Sequence, residues 1–425
     1  MASHLNAATN AAVLSGQRRW APLLVDERAR RAKAAAEQIL KESRCWRFSA
    51  EGASKRGALW GGVPAMALLA GYLIADGAAA DACCNEMIDE AAALAEGTGR
   101  LDLFYGVAGF GWVASHLGRR LAGLHDYDLR DVDALVEKYL QRLAMEHPSA
   151  RPPHALLEGA IGTGLYALER VPRESATRAL GHVLDYLETS ARESRLGVWW
   201  EHAPSGANPS TIVLGPAHGT SGALVFLARV YAKGMFRARV GTLLDKATEW
   251  LLAQRLPPAA GSVFPHPLVG SAACEESSLS WCHGDPGIAG ALYSAGTLVG
   301  RDDWKAIAVR AACKAAGRFG EHVRDAGLCH GSAGLAHIFN RLYQATGEER
   351  LREAALRWFD ITLYRRVEGR GVAGFRVWHG DETSGKWASS IALLSGALGI
   401  GLALLAATAD VAPDWDQLLV ISGGD

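Results

Sequence analysis

The sequence predicts an all-α protein, an α/α toroid of seven inner and seven outer helices, on three observations. A Gly-x-x-Gly opening, or a near variant, recurs seven times, and each copy runs into an apolar stretch. An amphipathic stretch with apolar residues at helical spacing precedes each copy. The 48 glycines lie inside these apolar segments rather than in linkers, and they exceed the usual share of about 7%.

In chain order, VDERARRAKAAAEQIL from Val25 precedes WGGVPAMALLAGYL, which opens at Gly62 and has Ala65 where the second glycine would stand. AADACCNEMIDEAAALAE from Ala79 precedes FYGVAGFGW at Gly106, and DVDALVEKYLQRLAM from Asp131 precedes LEGAIGTGLYAL at Gly159. TRALGHVLDYLETSARE from Thr177 leads to AHGTSGALVFL at Gly219, and TLLDKATEWLLAQ from Thr242 leads to CHGDPGIAGALY at Gly284. DWKAIAVRAACKAAGRF from Asp303 leads to CHGSAGLAHI at Gly331, and ERLREAALRWFDITLY from Glu349 leads to LSGALGIGLALL at Gly396. Steps between leading glycines run from 44 residues (Gly62 to Gly106) to 65 (Gly219 to Gly284).

A helix polar on one face meets water, whereas one rich in Gly, Ala and Leu all round is buried. Seven alternating pairs therefore predict buried helices wrapped by exposed ones and closed on themselves, as one domain over residues 1–425. Glycine costs about 1 kcal/mol at a helix interior position. Its recurrence predicts that bare backbone lets the inner helices converge and leaves their N-terminal N–H groups pointing into a central cavity. Glycines that merely pack helices in an open α-solenoid are the alternative. Two irregular stretches, Ser194–Pro216 and Pro257–Leu279, are rich in Gly, Pro and Ser and are expected over one rim.

Composition narrows the partners. A net charge of −1 gives no electrostatic reason to expect a nucleic acid. No run approaches 18 uninterrupted apolar residues and the first twenty residues hold no apolar h-region, so neither a membrane span nor a signal peptide is expected. Seven cysteines, an odd number, point to reduced thiols and a cytoplasmic location.

Cys282 and Cys329 occupy equivalent places, each two residues ahead of a leading glycine, and His330 follows Cys329. Two thiolates and an imidazole form a soft set suited to zinc, and three protein ligands leave a fourth position open, the catalytic pattern. Buried packing cysteines are the alternative, and Cys45, Cys83, Cys84, Cys274 and Cys313 are read that way, as core or surface thiols. His218 stands one residue ahead of Gly219. It is a candidate acid/base because imidazole titrates near neutral pH, with a core histidine bonded to a carbonyl as the alternative. His283, beside Asp285 in sequence, is a further candidate with a rim role as its alternative. Trp199 and Trp200 either line a pocket or pack.

At these residues the chain resembles the lanthionine synthetase C-like family, the LanC cyclases and their eukaryotic LanC-like relatives. The match covers the seven openings, AHGTSG, SWCHGDPG, LCHGSAG and the tail WDQLL at Trp415. The resemblance implies an α/α toroid with one zinc ion held by Cys282, Cys329 and His330. It implies thioether formation, in which the thiolate of a peptide cysteine adds to the β-carbon of a dehydroalanine or dehydrobutyrine. His218 matches the histidine that protonates the enolate. The implied partners are a dehydrated precursor peptide, a dehydratase and export machinery.

Two positions depart from the family pattern. An Asp four residues ahead of the third leading glycine is replaced by Ala155, with His154 and Glu158 near it, and an Arg four residues ahead of the first zinc cysteine is replaced by Ser278. Asp102 sits at the Asp offset one repeat earlier. Three readings follow: a zinc-dependent cyclase, an enzyme adding glutathione or another small thiol to dehydroamino acids, and a zinc-containing peptide-binding scaffold without turnover. His283 in WCHG, where cyclases carry a tyrosine, leans toward the second. An α/α-toroid glycosidase would need two converging carboxylates, and the openings supply only Glu158 and Asp285.

Overall fold

The computed structural model describes residues 19–46, 56–75, 81–121, 124, 127–146, 154–202, 211–266, 275–319, 322–380 and 384–422. The side chains of Trp46, Asp81, Ala82, Cys83 and Glu96 lie outside that description, as does the whole of Cys274. The described residues form fourteen α-helices: α1 (Asp26–Trp46), α2 (Val63–Ala75), α3 (Asp81–Ala95), α4 (Val107–Arg120), α5 (Arg130–Met145), α6 (Ala160–Glu169), α7 (Glu174–Ser190), α8 (Thr220–Ala232), α9 (Arg237–Ala253), α10 (Asp285–Val299), α11 (Asp302–Ala316), α12 (Ser332–Thr346), α13 (Glu349–Tyr364) and α14 (Ala397–Ala406). Among them no helix is long and apolar enough to cross a membrane. Two short antiparallel hairpins, β1 (Arg192–Ser194) with β2 (Gly197–Trp199) and β3 (Val377–His379) with β4 (Lys386–Ala388), are the additions that the sequence did not predict.

Even-numbered helices follow the Gly-rich openings and are buried on nearly every side. In α6 Ala160 to Ala167 are all buried, and in α14 every residue is. Odd-numbered helices bury one stripe. In α5 that stripe is Asp133, Val136, Leu140 and Leu143, and in α9 it runs from Val240 through Leu244 to Leu251, the 3.6-residue spacing of a helix with one wet face. Each even-numbered helix touches the next, from α2 through α14, and α14 touches α2 again. The contacts therefore form a closed cycle.

Order along the chain does not set where the amphipathic helices dock. From α3 onward, most pack chiefly against the Gly-led helix that precedes them, as α11 does on α10 and α13 on α12. Helix α1 packs chiefly on α14, where the N–H groups of Leu23 and Leu24 both reach the carbonyl of Ala407, at 2.8 and 2.9 Å. The seventh pair is thus made from both ends of the described chain.

The glycines also serve another purpose than the one predicted. Each opening is a tight turn that folds back over the start of its own helix. An N–H of the first helical turn reaches a carbonyl seven residues earlier: Val63 to Arg56, Val107 to Arg100, Ile161 to His154, Thr220 to Val213, Gly287 to Ser280, Ser332 to Asp325 and Ala397 to Ser390. Between one and three of the orphan donors of each helix N-terminus are consumed there, so those N–H groups do not point into a cavity as expected. A Cβ on Gly287 would lie closer than 3 Å to the carbonyl oxygen of Trp281, and one on Gly334 would meet that of Leu328 the same way. The second glycine of the pattern is where that turn crosses the helix.

Candidate metal centre

Five of the seven neighbouring pairs of openings are stitched together by main-chain hydrogen bonds. Leu393 donates to Trp60, Trp60 to Phe104, Leu156 to Ala217, Trp281 to Cys329 and Cys329 to Leu394, at 2.6 to 3.2 Å. Gly215 lies so close to the Cys282 carbonyl that a Cβ there would collide with it. Equivalent positions of neighbouring openings are therefore held side by side, and this brings Cys282 next to Cys329. The ligand atoms of Cys282, Cys329 and His330 all lie within 4.8 Å of one another, a group able to hold a metal ion. Cys282 is buried, Cys329 is half-buried and the His330 side chain is 47% exposed, so one side of the group is open to an incoming ligand.

The three groups share their protons unequally. A hydrogen bond from the Cys329 thiol, with a further one from His330, holds Cys282 well below the usual thiol pKa, against the opposing effect of burial. Cys329 is pushed well above it by the same bond and by burial. His330 is raised by its bond to Cys282. This is a thiolate with two hydrogen-bonding neighbours, and the donor set is soft, convergent and open on the His330 side. It fits zinc.

The predicted histidines gather beside it. The ring of His218 lies 6.1 Å from that of His283, the neighbour of Cys282, and 4.4 Å from that of His202. Burial, with His202 and His283 adding to it, lowers His218 to about 4. His154 is fully buried and lowered to about 3, chiefly by burial. Its ring hydrogen-bonds the main chain of His218, and that bond acts to raise its pKa, the sign of a ring N–H donating to a carbonyl. Nδ1 of His202, His218 and His283 and Nε2 of His154 are buried without a hydrogen-bond partner among the described residues.

Other candidates are placed elsewhere. The Asp102 carboxylate accepts from the N–H of Tyr105 at 2.8 Å and pairs with Arg100 at 2.7 Å, so it is engaged within its own opening. Ala155 is fully buried, and the Ser278 hydroxyl bonds that of Ser280 at 2.8 Å. Asp285 accepts from the N–H groups of Val263 and Phe264 and from the hydroxyl of Ser277; it fastens these described parts of the 257–279 stretch to α10, while residues 267–274 lie outside the described residues. Trp199 stacks on Trp250 at 5.3 Å, and the Trp200 indole N–H donates to Leu187 at 3.0 Å, so both pack. Cys45, Cys282, Cys313 and Cys329 form no disulfide among the described residues, and the buried Cys84 thiol reaches the carbonyl of Ala67 at 3.8 Å.

The sequence reading missed Tyr105, His202 and Asp325. Tyr105 stacks on Trp60 at 5.1 Å. Burial, then the nearby Glu158 and Asp102, and more weakly Cys329, raise its pKa and keep the phenol protonated. A signal for it existed: the residue directly ahead of the leading glycine is polar in five consecutive openings, namely Tyr105, Glu158, His218, His283 and His330. His202 has no such register. It arrives from an isolated bridge with Thr211.

Comparison with known proteins agrees with this fold. The chain is similar in structure to nisin cyclase, with a TM-score of 0.71 and 18% sequence identity over 92% of this chain and 97% of that one. The sequence profile of the family described as lanthionine synthetase C-like protein matches residues 59–420. The chain belongs to the lanthionine synthetase C-like family.

Proposed function

We propose that the chain is a single α/α toroid that acts as a zinc-dependent lanthionine-type cyclase, joining a peptide cysteine to a dehydroalanine or dehydrobutyrine through a thioether. The observation that carries this reading is the convergence of Cys282, Cys329 and His330 within 4.8 Å at the stitched end of the cycle. When bound, zinc supplies a Lewis acid that brings the pKa of a substrate thiol toward neutrality.

The protein's own residues handle the proton. His218 is neutral at pH 7, since burial lowers its pKa to about 4, so it is ready to take the proton of the incoming thiol rather than holding one in advance. Sulfur then bonds to the β-carbon, and the π electrons of the dehydro residue move onto the α-carbon and carbonyl. His218, now an imidazolium, returns the proton to the α-carbon. Atoms balance, and substrate and product peptide have equal mass. His154 steadies the main chain of His218. The protonated Tyr105 phenol is a hydrogen-bond donor for the transient enolate, a duty that the methyl group of Ala155 cannot perform.

The test incubates purified protein with a dehydrated peptide that contains cysteine and then alkylates free thiols. Loss of alkylation at constant mass supports cyclisation. Peptide that still alkylates in full, at every ratio of protein and in excess zinc, rules it out. A mass gain of one small thiol, when glutathione is supplied, would instead identify the second reading.

A further inference from the structure

Asp325 belongs to no predicted site, yet it lies at the joint of three features. Its carboxylate is buried, with a side-chain exposure of 1%, and faces Nε2 of His330 at 4.0 Å. Its position is fixed from both sides: Oδ1 accepts from the N–H of Gly327 and Oδ2 from the N–H of Trp378 on β3, each at 2.9 Å. Its main-chain carbonyl accepts from Ser332, the repeated bond of every opening, and from the guanidinium of Arg365.

The repeat separates the two duties. The main-chain duty falls to Arg56, Arg100, His154, Val213 and Ser390 in other openings, so it requires no carboxylate. An acid stands there in the opening that carries His330. Burying a carboxylate is costly without compensating partners, and the Arg365 guanidinium reaches the carbonyls of Val323 and Asp325 rather than the carboxylate.

Resting on the zinc reading above, we propose that Asp325 is a positioning residue for the metal centre: its carboxylate holds the Nε2 edge of His330 and turns Nδ1 toward the ion. A carboxylate behind a ligating imidazole fixes the ring's tautomer and orientation and makes it a stronger donor, and loss of such a partner typically weakens metal binding by about 10–100-fold. The shared oxygen also ties the ligand to the β3–β4 hairpin, so that the rim and the metal ligand are anchored on one group.

The experiment uses the full chain loaded with zinc, and in parallel with cobalt(II). Asp325→Asn and Asp325→Ala, compared with the parent by chelator competition, are expected to bind zinc about 10–100-fold more weakly and to shift the cobalt absorption bands, while circular dichroism stays unchanged. A second measurement needs no variant: the 15N spectrum of the zinc-loaded parent should show His330 metal-bound through Nδ1 and protonated at Nε2. Metal bound through Nε2, or folded variants with parental zinc affinity and cobalt bands, would overturn the proposal. A parent that takes up no zinc sinks the underlying reading instead. Zinc uptake without thioether formation sinks only the catalytic part of it and leaves Asp325 in place.

Discussion

The carbonyl of Cys329 accepts from the N–H of Cys282 at 3.4 Å and from that of Trp281 at 2.9 Å, and these main-chain bonds hold the Cys282 and Cys329 sulfurs side by side. The ligand pair thus rests on backbone, not on side-chain packing alone. Removing either sulfur leaves the stitch intact and removes a donor. Cys282→Ala and Cys329→Ala are expected to fold with parental circular dichroism and to fall from about one zinc per chain to near none, measured by elemental analysis after dialysis.

Metal affinity should depend on pH in a fixed direction. In the metal-free group Cys282 is held as thiolate, while Cys329 and His330 keep their protons, both being raised. Binding must displace those protons. Affinity therefore rises with pH and falls as pH drops, by roughly tenfold per unit for each proton released. Chelator competition at three values between pH 6 and 8 measures the slope; a flat line contradicts the proton assignment.

His218→Ala should separate metal binding from chemistry. His218 contributes no ligand atom to the three-residue group, so zinc content should be parental. The rate of thiol loss from a dehydrated peptide should drop by about 10²–10⁴-fold, the usual worth of a positioned acid/base. Equal rates in parent and variant would remove His218 from the mechanism.

Buried neutral histidines predict acid sensitivity. His116 and His154 are lowered to about 3 and His218 to about 4, each chiefly by burial, whereas in the unfolded chain they titrate near 6.5. Between those values the unfolded state binds more protons, so stability is full above about pH 6.5 and is lost as pH falls through that window. Each ring contributes a slope of up to about 1.4 kcal/mol per pH unit, less for the partly exposed His218. Urea unfolding at pH 7.5, 6 and 5 measures it, and His116→Phe should remove one ring's share.

Two glycines should respond oppositely to alanine. Gly287→Ala forces a methyl against the main chain of Trp281 and should cost about 2–4 kcal/mol, with zinc lost as well because Cys282 is next in sequence to Trp281. Gly118, inside α4, has open space where its Cβ would stand, so Gly118→Ala should stabilise by about 0.4–1 kcal/mol. Denaturant midpoints decide both.

Much of this was legible in the sequence because one physical constraint repeats. A turn that crosses its own helix favours glycine at fixed offsets, with Ala65 the one exception at the second, and that spacing exposed all seven Gly-led helices together with Cys282, Cys329, His330 and His218 at matching positions. The amphipathic helices were legible from their apolar stripes. Their docking partners were not, since a stripe records that a face is buried and not against what. His202 and Asp325 escaped for a related reason: each reaches the site through a bridge or a turn carbonyl that any residue type can supply. Tyr105 was readable from its register before Gly106, but an aromatic there resembles ordinary packing.

The docking of α1 on α14 makes the described residues a bracelet whose clasp is fastened by the first and last of their α-helices. During synthesis α1 leaves the ribosome long before α14 exists, so its apolar stripe waits uncovered until the final helix arrives. Once shut, the circle has no terminal repeat from which to fray, unlike an open stack. Loosening the clasp at Leu23, Leu24 and Ala407 would therefore open a circle that also holds Cys282, Cys329 and His330, although the clasp supplies none of those three.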